Sequence, residues 1–285
     1  MKQALLWGVL VLAGVFASPM GVAQDRIVSL GGDVTEIVYA LGAGDRIVAT
    51  DTTSVFPVDA TQTPKVGYLR QLSAEGVLSL EPDLILISGA AGPEAALEQI
   101  RATGVPIVQM ETAYTIDSIL EKIERVADVL DKEPEGDALV AEITQRWEDA
   151  QGRLAELGLS PRVLFFATFA DSAPRAAGRD TAAHGVIELL GGENVFESQT
   201  GYKALSLEAA VAASPDIILV MDQNVLRAGG LDKLVGHPAV SLTEAAQTGQ
   251  VFVVDAVKIM QFGPRTPEAI ADLATTIENG IEGAG

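Results

Sequence analysis

Cysteine is absent from the 285-residue chain. That excludes disulfides, thiolate metal sites and a thiol nucleophile. Histidine occurs only twice, at His184 and His237, which leaves little acid–base machinery. No phosphate loop, nucleophile elbow or histidine pair at metal-binding spacing is present. Aromatic residues make up 5% of the chain, so a tyrosine in a loop calls for an explanation. Basic residues number 19 against 39 acidic ones, a net charge of −20. That balance argues against nucleic acid and anionic membrane surfaces as partners, and favours a soluble monomer. The one long apolar run, from Ala4 to Val15, is too short to span a bilayer. With Lys2 before it and Gly21-Val-Ala23 after it, it reads as a signal peptide cleaved after Ala23. Its removal takes away one positive charge and leaves −21. No lipid-accepting cysteine follows, so the exported chain is expected to be free rather than tethered.

What is present describes a globular protein. Hydrophobic residues are 48% and charged residues 20%, enough for a large core, and the length allows two domains. Apolar runs at Ile27–Leu30, 47–49, Leu84–Ile87 and 106–110 alternate with helical segments closed by glycine, the pattern of a parallel sheet with helices on both faces. The stretch from Ser73 to the strand at Leu84 then returns. Ser73, Glu75 and Pro82 recur as Ser206, Glu208 and Pro215, each 133 positions on. Between the copies, residues 115–157 keep a helical period that Pro134 should break or kink. The fold expected is therefore α/β: two similar lobes with central, mostly parallel sheets, joined by a long helical linker, with a ligand cleft between the lobes. The expected boundaries are 24–113 for the first lobe, 114–159 for the connection and 160–285 for the second lobe.

Ligands of open α/β sheets bind beyond the carboxyl ends of the strands. The loop that carries Tyr68 and Arg70 belongs there. A phenolate is a hard anionic donor suited to ferric iron, and Arg70 would favour the ionised phenol. The plain alternative is a loop tyrosine covering apolar surface. Tyr202, which also follows a glycine, is the counterpart in the second half, with packing as its simpler role. His184 stands near the start of the helix after residue 181, as a partly exposed helix residue or a ligand. His237 precedes Pro238 in a loop and carries no evident chemistry. Glu75 and Glu208 sit in the first turns of equivalent helices, where a carboxylate interacts favourably with the helix dipole.

Three motifs carry a family resemblance: Gly67-Tyr68-Leu69-Arg70, Ala176-Ala177-Gly178-Arg179-Asp180-Thr181 and Phe262-Gly263-Pro264-Arg265-Thr266-Pro267. With these, the chain resembles the substrate-binding proteins of ABC importers that have a rigid interlobe helix, and among them the periplasmic haem-binding proteins. The resemblance covers the whole mature chain. It implies a periplasmic carrier that holds ferric haem between its lobes, with Tyr68 as axial ligand, and passes it to an inner-membrane permease dimer. It further implies that Glu75 and Glu208 dock permease arginines. Arg70, Arg179 and Arg227 are the candidates for the haem propionates, with Arg175 and Lys203 behind them. One departure stands out. Some relatives supply a second axial histidine just before the Ala-Ala-Gly motif, whereas here Phe165 to Ser172 contains none. His184 or Tyr202 would have to substitute. A siderophore or corrinoid carrier is the near alternative, and a two-domain α/β enzyme the distant one.

Overall fold

The computed structural model describes residues 26–168 and 174–283. The expected signal peptide and its cleavage site lie outside the described residues. The first lobe runs β1 (Ile27–Leu30), α1 (Gly32–Ala40), β2 (Ile47–Thr50), α2 (Ala74–Leu78), β3 (Leu84–Ile87), α3 (Glu94–Arg101) and β4 (Ile107–Gln109). Its sheet has the order β2-β1-β3-β4, and every pair is parallel. β1 and β3 are buried along their whole length, so β3 is an unbroken apolar run and β1 departs from one only at Ser29, whose buried hydroxyl pairs with that of Thr35.

The connection is a helical hairpin. α4 (Ile116–Leu130) ends at Asp131 in the left-handed conformation, φ 55°, and α5 (Glu133–Leu157) begins two residues later. The break expected at Pro134 is therefore a helix start. Proline stands in the first turn of α5, where its missing N–H has no partner to lose. At 25 residues, α5 is roughly 37 Å long at ~1.5 Å per residue.

The second lobe runs β5 (Arg162–Thr168), β6 (Arg175–Ala177), α6 (Ala182–Leu189), β7 (Glu193–Asn194), β8 (Tyr202–Ala204), α7 (Leu207–Ala212) and β9 (Ile217–Met221). Short helices α8 (Asp222–Ala228), α9 (Leu231–Val235), α10 (Pro238–Ser241) and α11 (Glu244–Gln247) lead to β10 (Val251–Val254), α12 (Ala256–Met260) and α13 (Thr266–Gly283). The sheet order is β10-β9-β5-β6-β8, with β7 beside the start of β5. Here β6 runs antiparallel to both its neighbours, β5 and β8, so the second sheet is mixed.

The sequence repeat is a repeat in space. Ser73 caps α2 by accepting the Gly76 amide, and Ser206 caps α7 by accepting the Ala209 amide. Glu81 and Ser214, just before the two Pro-Asp pairs, are both left-handed. An arginine clasps each turn. Arg26 donates its amide to Asp83 and its guanidinium to the carbonyls of Leu80 and Glu81. Arg162 does the same to Asp216, Ala213 and Ser214.

One buried cluster draws on both lobes and the connection. It includes Ile37 and Leu86, Ile119 and Ile143, and Phe165, Ile270 and Ile277. We propose that the boundaries at residues 113 and 160 are topological rather than energetic, because this core crosses both.

An interlobe cleft as candidate functional site

A cleft of about 630 Å³ opens where the carboxyl ends of the two sheets face each other. The first lobe supplies the turn after β1, Thr52, Thr53 and Val55 after β2, and Tyr68 to Arg70; the start of the connection supplies Tyr114; the second lobe supplies Asp180 to Ala182, Tyr202, Gln223 and the segment around Met260 and Phe262.

Tyr68 is presented by its neighbours. Gly67 takes φ 104°, a conformation that side chains disfavour, and its carbonyl accepts the Thr52 amide at 2.9 Å. Leu69 and Leu72 are buried in the lobe's own core and pair with both backbone groups of Gly92. Between these anchors Tyr68 remains 43% exposed, lining the cleft. Arg70 lines it too. Its charge acts on two other phenols, Tyr114 and Tyr202. Burial pushes both of those phenols up, and Arg70 opposes the rise.

Tyr202 faces the same cleft from the second lobe, after a left-handed Gly201. Thr181 and the Ala183 amide oppose the rise that burial gives the Tyr202 phenol. His184 lies in a side chamber of about 380 Å³ beside Glu188 and outside the lining of the main cleft. Its Nδ1 is 3.2 Å from the amide nitrogen of Asn194 and its Nε2 3.5 Å from the Glu188 carboxylate. His237 caps α10, with Nδ1 accepting the Ala239 amide. Arg179, Arg227, Arg175 and Lys203 are exposed, and none of them lines the cleft. Arg175 donates to the Tyr202 carbonyl. Glu75 and Glu208 are exposed at equivalent helix starts. Hydrogen bonds from its own amide and from Ser206 hold the Glu208 carboxyl below its usual range.

The floor of the cleft is where the lobes are tied, and the Phe262–Pro267 motif does the tying. Lys122 of α4 lies on the buried stripe of that helix, 6% exposed. Its ammonium meets Asp33 of α1 at 2.8 Å and the Phe262 carbonyl at 2.6 Å. Arg265 pairs with buried Glu36, also of α1, through its guanidinium at 3.0 Å and its amide at 3.1 Å. Burial pushes the Glu36 carboxyl above its usual range, and Arg265 offsets part of that. Gln261 reaches the Thr53 carbonyl at 2.9 Å. Tyr114 packs edge-on to Phe262 with ring centroids 5.2 Å apart.

Gly185 of α6 makes room for this contact. A Cβ there would lie 2.5 Å from the Tyr114 Cβ and 2.6 Å from its carbonyl oxygen. Gly185→Ala is expected to force the lobes apart at this point. It should cost about 1–3 kcal/mol, as overpacking does, read as a lowered urea midpoint. An unchanged midpoint would show that Tyr114 can retreat freely.

Two lobes, a shared core and a cleft at the sheet edges define a carrier of small solutes. The chain belongs to the periplasmic binding protein family, whose profile matches residues 27–257. Among solved structures it is similar to the periplasmic haem-binding protein RhuT from Roseiflexus sp. RS-1, at 35% identity and TM-score 0.85 over 90% of this chain and 99% of that one. It is similar also to the periplasmic haem-binding protein BhuT in complex with two haems, at 36% identity and TM-score 0.86 over 90% and 98%. Among curated sequences, the vitamin B12-binding protein of Vibrio cholerae serotype O1 is 27% identical over 255 residues, 89% of each chain. The family and these neighbours are binding proteins, not enzymes.

Proposed function

We propose that this protein is the carrier of a haem importer, binding one ferric haem between its lobes with Tyr68 on the iron. The observation that carries the reading is a half-exposed tyrosine lining the cleft directly after a positive-φ glycine, in a chain over a third identical to two haem-binding carriers. Among the described residues no three carboxylates or histidines gather to hold a metal ion. Arg70 is the cation placed to meet a propionate, by a charge-assisted hydrogen bond. Arg179 and Arg227 would need the ligand to reach beyond the cleft lining. His184 stands outside the cleft lining with Asn194 and Glu188 beside it, and we assign the iron a single protein ligand, Tyr68. The reading includes no catalysis, a leader cleaved after Ala23, a monomer in the periplasm, and delivery to a permease dimer.

Titrating the purified protein with haemin and, in parallel, with cyanocobalamin tests the ligand. Haemin should bind with a tyrosinate-to-iron charge-transfer band. Tight cobalamin binding without haemin binding would move the protein to the corrinoid carriers.

Glu75 and Glu208 project from equivalent helices of the two lobes, so a two-fold permease can meet them alike. Glu75→Lys or Glu208→Lys should impair haem uptake by cells while the haemin titration stays as in the parent. Loss of haemin binding in either variant would place that glutamate in folding or in the cleft instead.

A further inference from the structure

Lys65 stands three residues before Tyr68 and does not line the cleft. Its ammonium donates to Thr50 Oγ1 at 2.6 Å, to the Ser54 carbonyl at 2.8 Å and to the Ala60 carbonyl at 2.8 Å. An ammonium has three donors, and all three are spent on the end of β2 and the two arms of the loop at residues 51–63. Backbone hydrogen bonds zip the same loop to the Tyr68 segment: Thr50 to Pro64, Val66 to Thr50 and Thr52 to Gly67, at 2.9–3.0 Å. From the other side the buried carboxylate of Asp51 accepts from the Gly31 amide, the Thr53 amide and the Ser54 hydroxyl. The loop is thus held at its base by Asp51 and across its arms by Lys65.

The loop presents Thr52, Thr53 and Val55 to the cleft, and Val55 is the apolar member. Val55, directly after Ser54, lines the cleft and is 40% exposed. Phe56 follows, with the Arg265 guanidinium 3.7 Å from its ring centroid. Val55 and the half-exposed Tyr68 line the same cleft, so a flat, largely apolar macrocycle with its metal on the phenol has an aliphatic side chain to pack against. Without the ammonium, two loop carbonyls lose their donor and the arms of the loop are free to part.

We propose that Lys65 is a positioning residue for ligand capture, fixing the 51–63 loop so that Val55 forms the apolar wall of the site beside Tyr68. This rests on the haem reading. The test is a double-mutant cycle of Lys65→Met and Val55→Asp, read by haemin titration and by the charge-transfer band. Met keeps the length of the side chain and removes the donors; Asp keeps the clasp and spoils the wall.

Each single variant should weaken haemin binding tenfold or more while the band persists, because Tyr68 is untouched. The double variant should be little worse than the poorer single one, since both act through the same wall. Effects that multiply in the double variant would overturn the coupling. A Lys65→Met protein that binds haemin like the parent, with only a lower urea midpoint, would make the clasp structural and overturn the proposal. A parent that binds no haemin would remove the haem reading and this inference with it, an outcome distinct from the other two.

Discussion

Replacing Tyr68 with phenylalanine should lower haemin affinity by about a hundredfold, ~2.8 kcal/mol at ~1.4 kcal/mol per factor of ten, and should abolish the tyrosinate-to-iron band. The substitution removes one oxygen and keeps the ring. Tyr68 is 43% exposed and its segment is anchored by buried Leu69 and Leu72, so the free protein should keep its stability to within ~0.5 kcal/mol, as surface substitutions do. A hard anionic donor favours the more charged metal, so reducing the bound iron should also weaken the parent's hold and barely alter the weak hold of the variant. His184→Ala and Tyr202→Phe serve as controls. His184 sits in its side chamber between Asn194 and Glu188, and burial raises the Tyr202 phenol, which disfavours the phenolate that iron would need. Both variants should keep the parent spectrum. A Tyr68→Phe protein with unchanged spectrum and affinity would end the assignment, and a spin-state change in His184→Ala would make that histidine the partner.

The strands were readable because burial on both faces writes an unbroken apolar run. Ile27–Leu30, Leu84–Ile87 and the strand from Ile217 have the limits that the sequence suggests. The repeat was readable because a helix cap and a turn each demand particular residues. Serine caps α2 and α7, and the Pro-Asp pairs start two strands that an arginine clasps. β6 and β8 escaped notice because three residues show no period. The helices between β9 and β10 are four to seven residues long, too short for a 3.6-residue pattern to declare itself. In the cleft, Tyr68 could be found from its loop, but Arg70 acts on Tyr114 and Tyr202, a relation that only the meeting of the lobes creates. Tyr114 belongs to no motif. Its position past the end of β4, where ligands of such sheets gather, was the available hint. Lys122 left a clearer one. It falls among Ile119, Ile123 and Val126 on the buried stripe of α4, where a lysine needs a counter-charge.

That lysine yields the largest expected loss of stability. Lys122→Met should destabilise the protein by about 3–5 kcal/mol, the cost of stranding one member of a buried ion pair. The pair spans 89 positions, and its second acceptor, the Phe262 carbonyl, lies 140 positions from Lys122. Removing the ammonium leaves the Asp33 carboxylate buried with a 3.3 Å hydrogen bond from Ser88, and leaves the Phe262 carbonyl without its donor. Both groups belong to the floor of the cleft, so the uncompensated negative charge would also face the anionic edge of a haem, and haemin affinity should fall together with the urea midpoint. Asp33→Asn in the Lys122→Met background removes that charge. It should recover much of the stability, because the stranded carboxylate, more than the loss of attraction, is what the single variant suffers. Recovery would identify the pair as a fastening that sets how the lobes meet, with methionine able to fill the space of the lysine stem. A single variant that loses less than about 1 kcal/mol would mean that water enters to solvate Asp33, and that the lobes are tied chiefly by the Glu36–Arg265 pair and the shared apolar core.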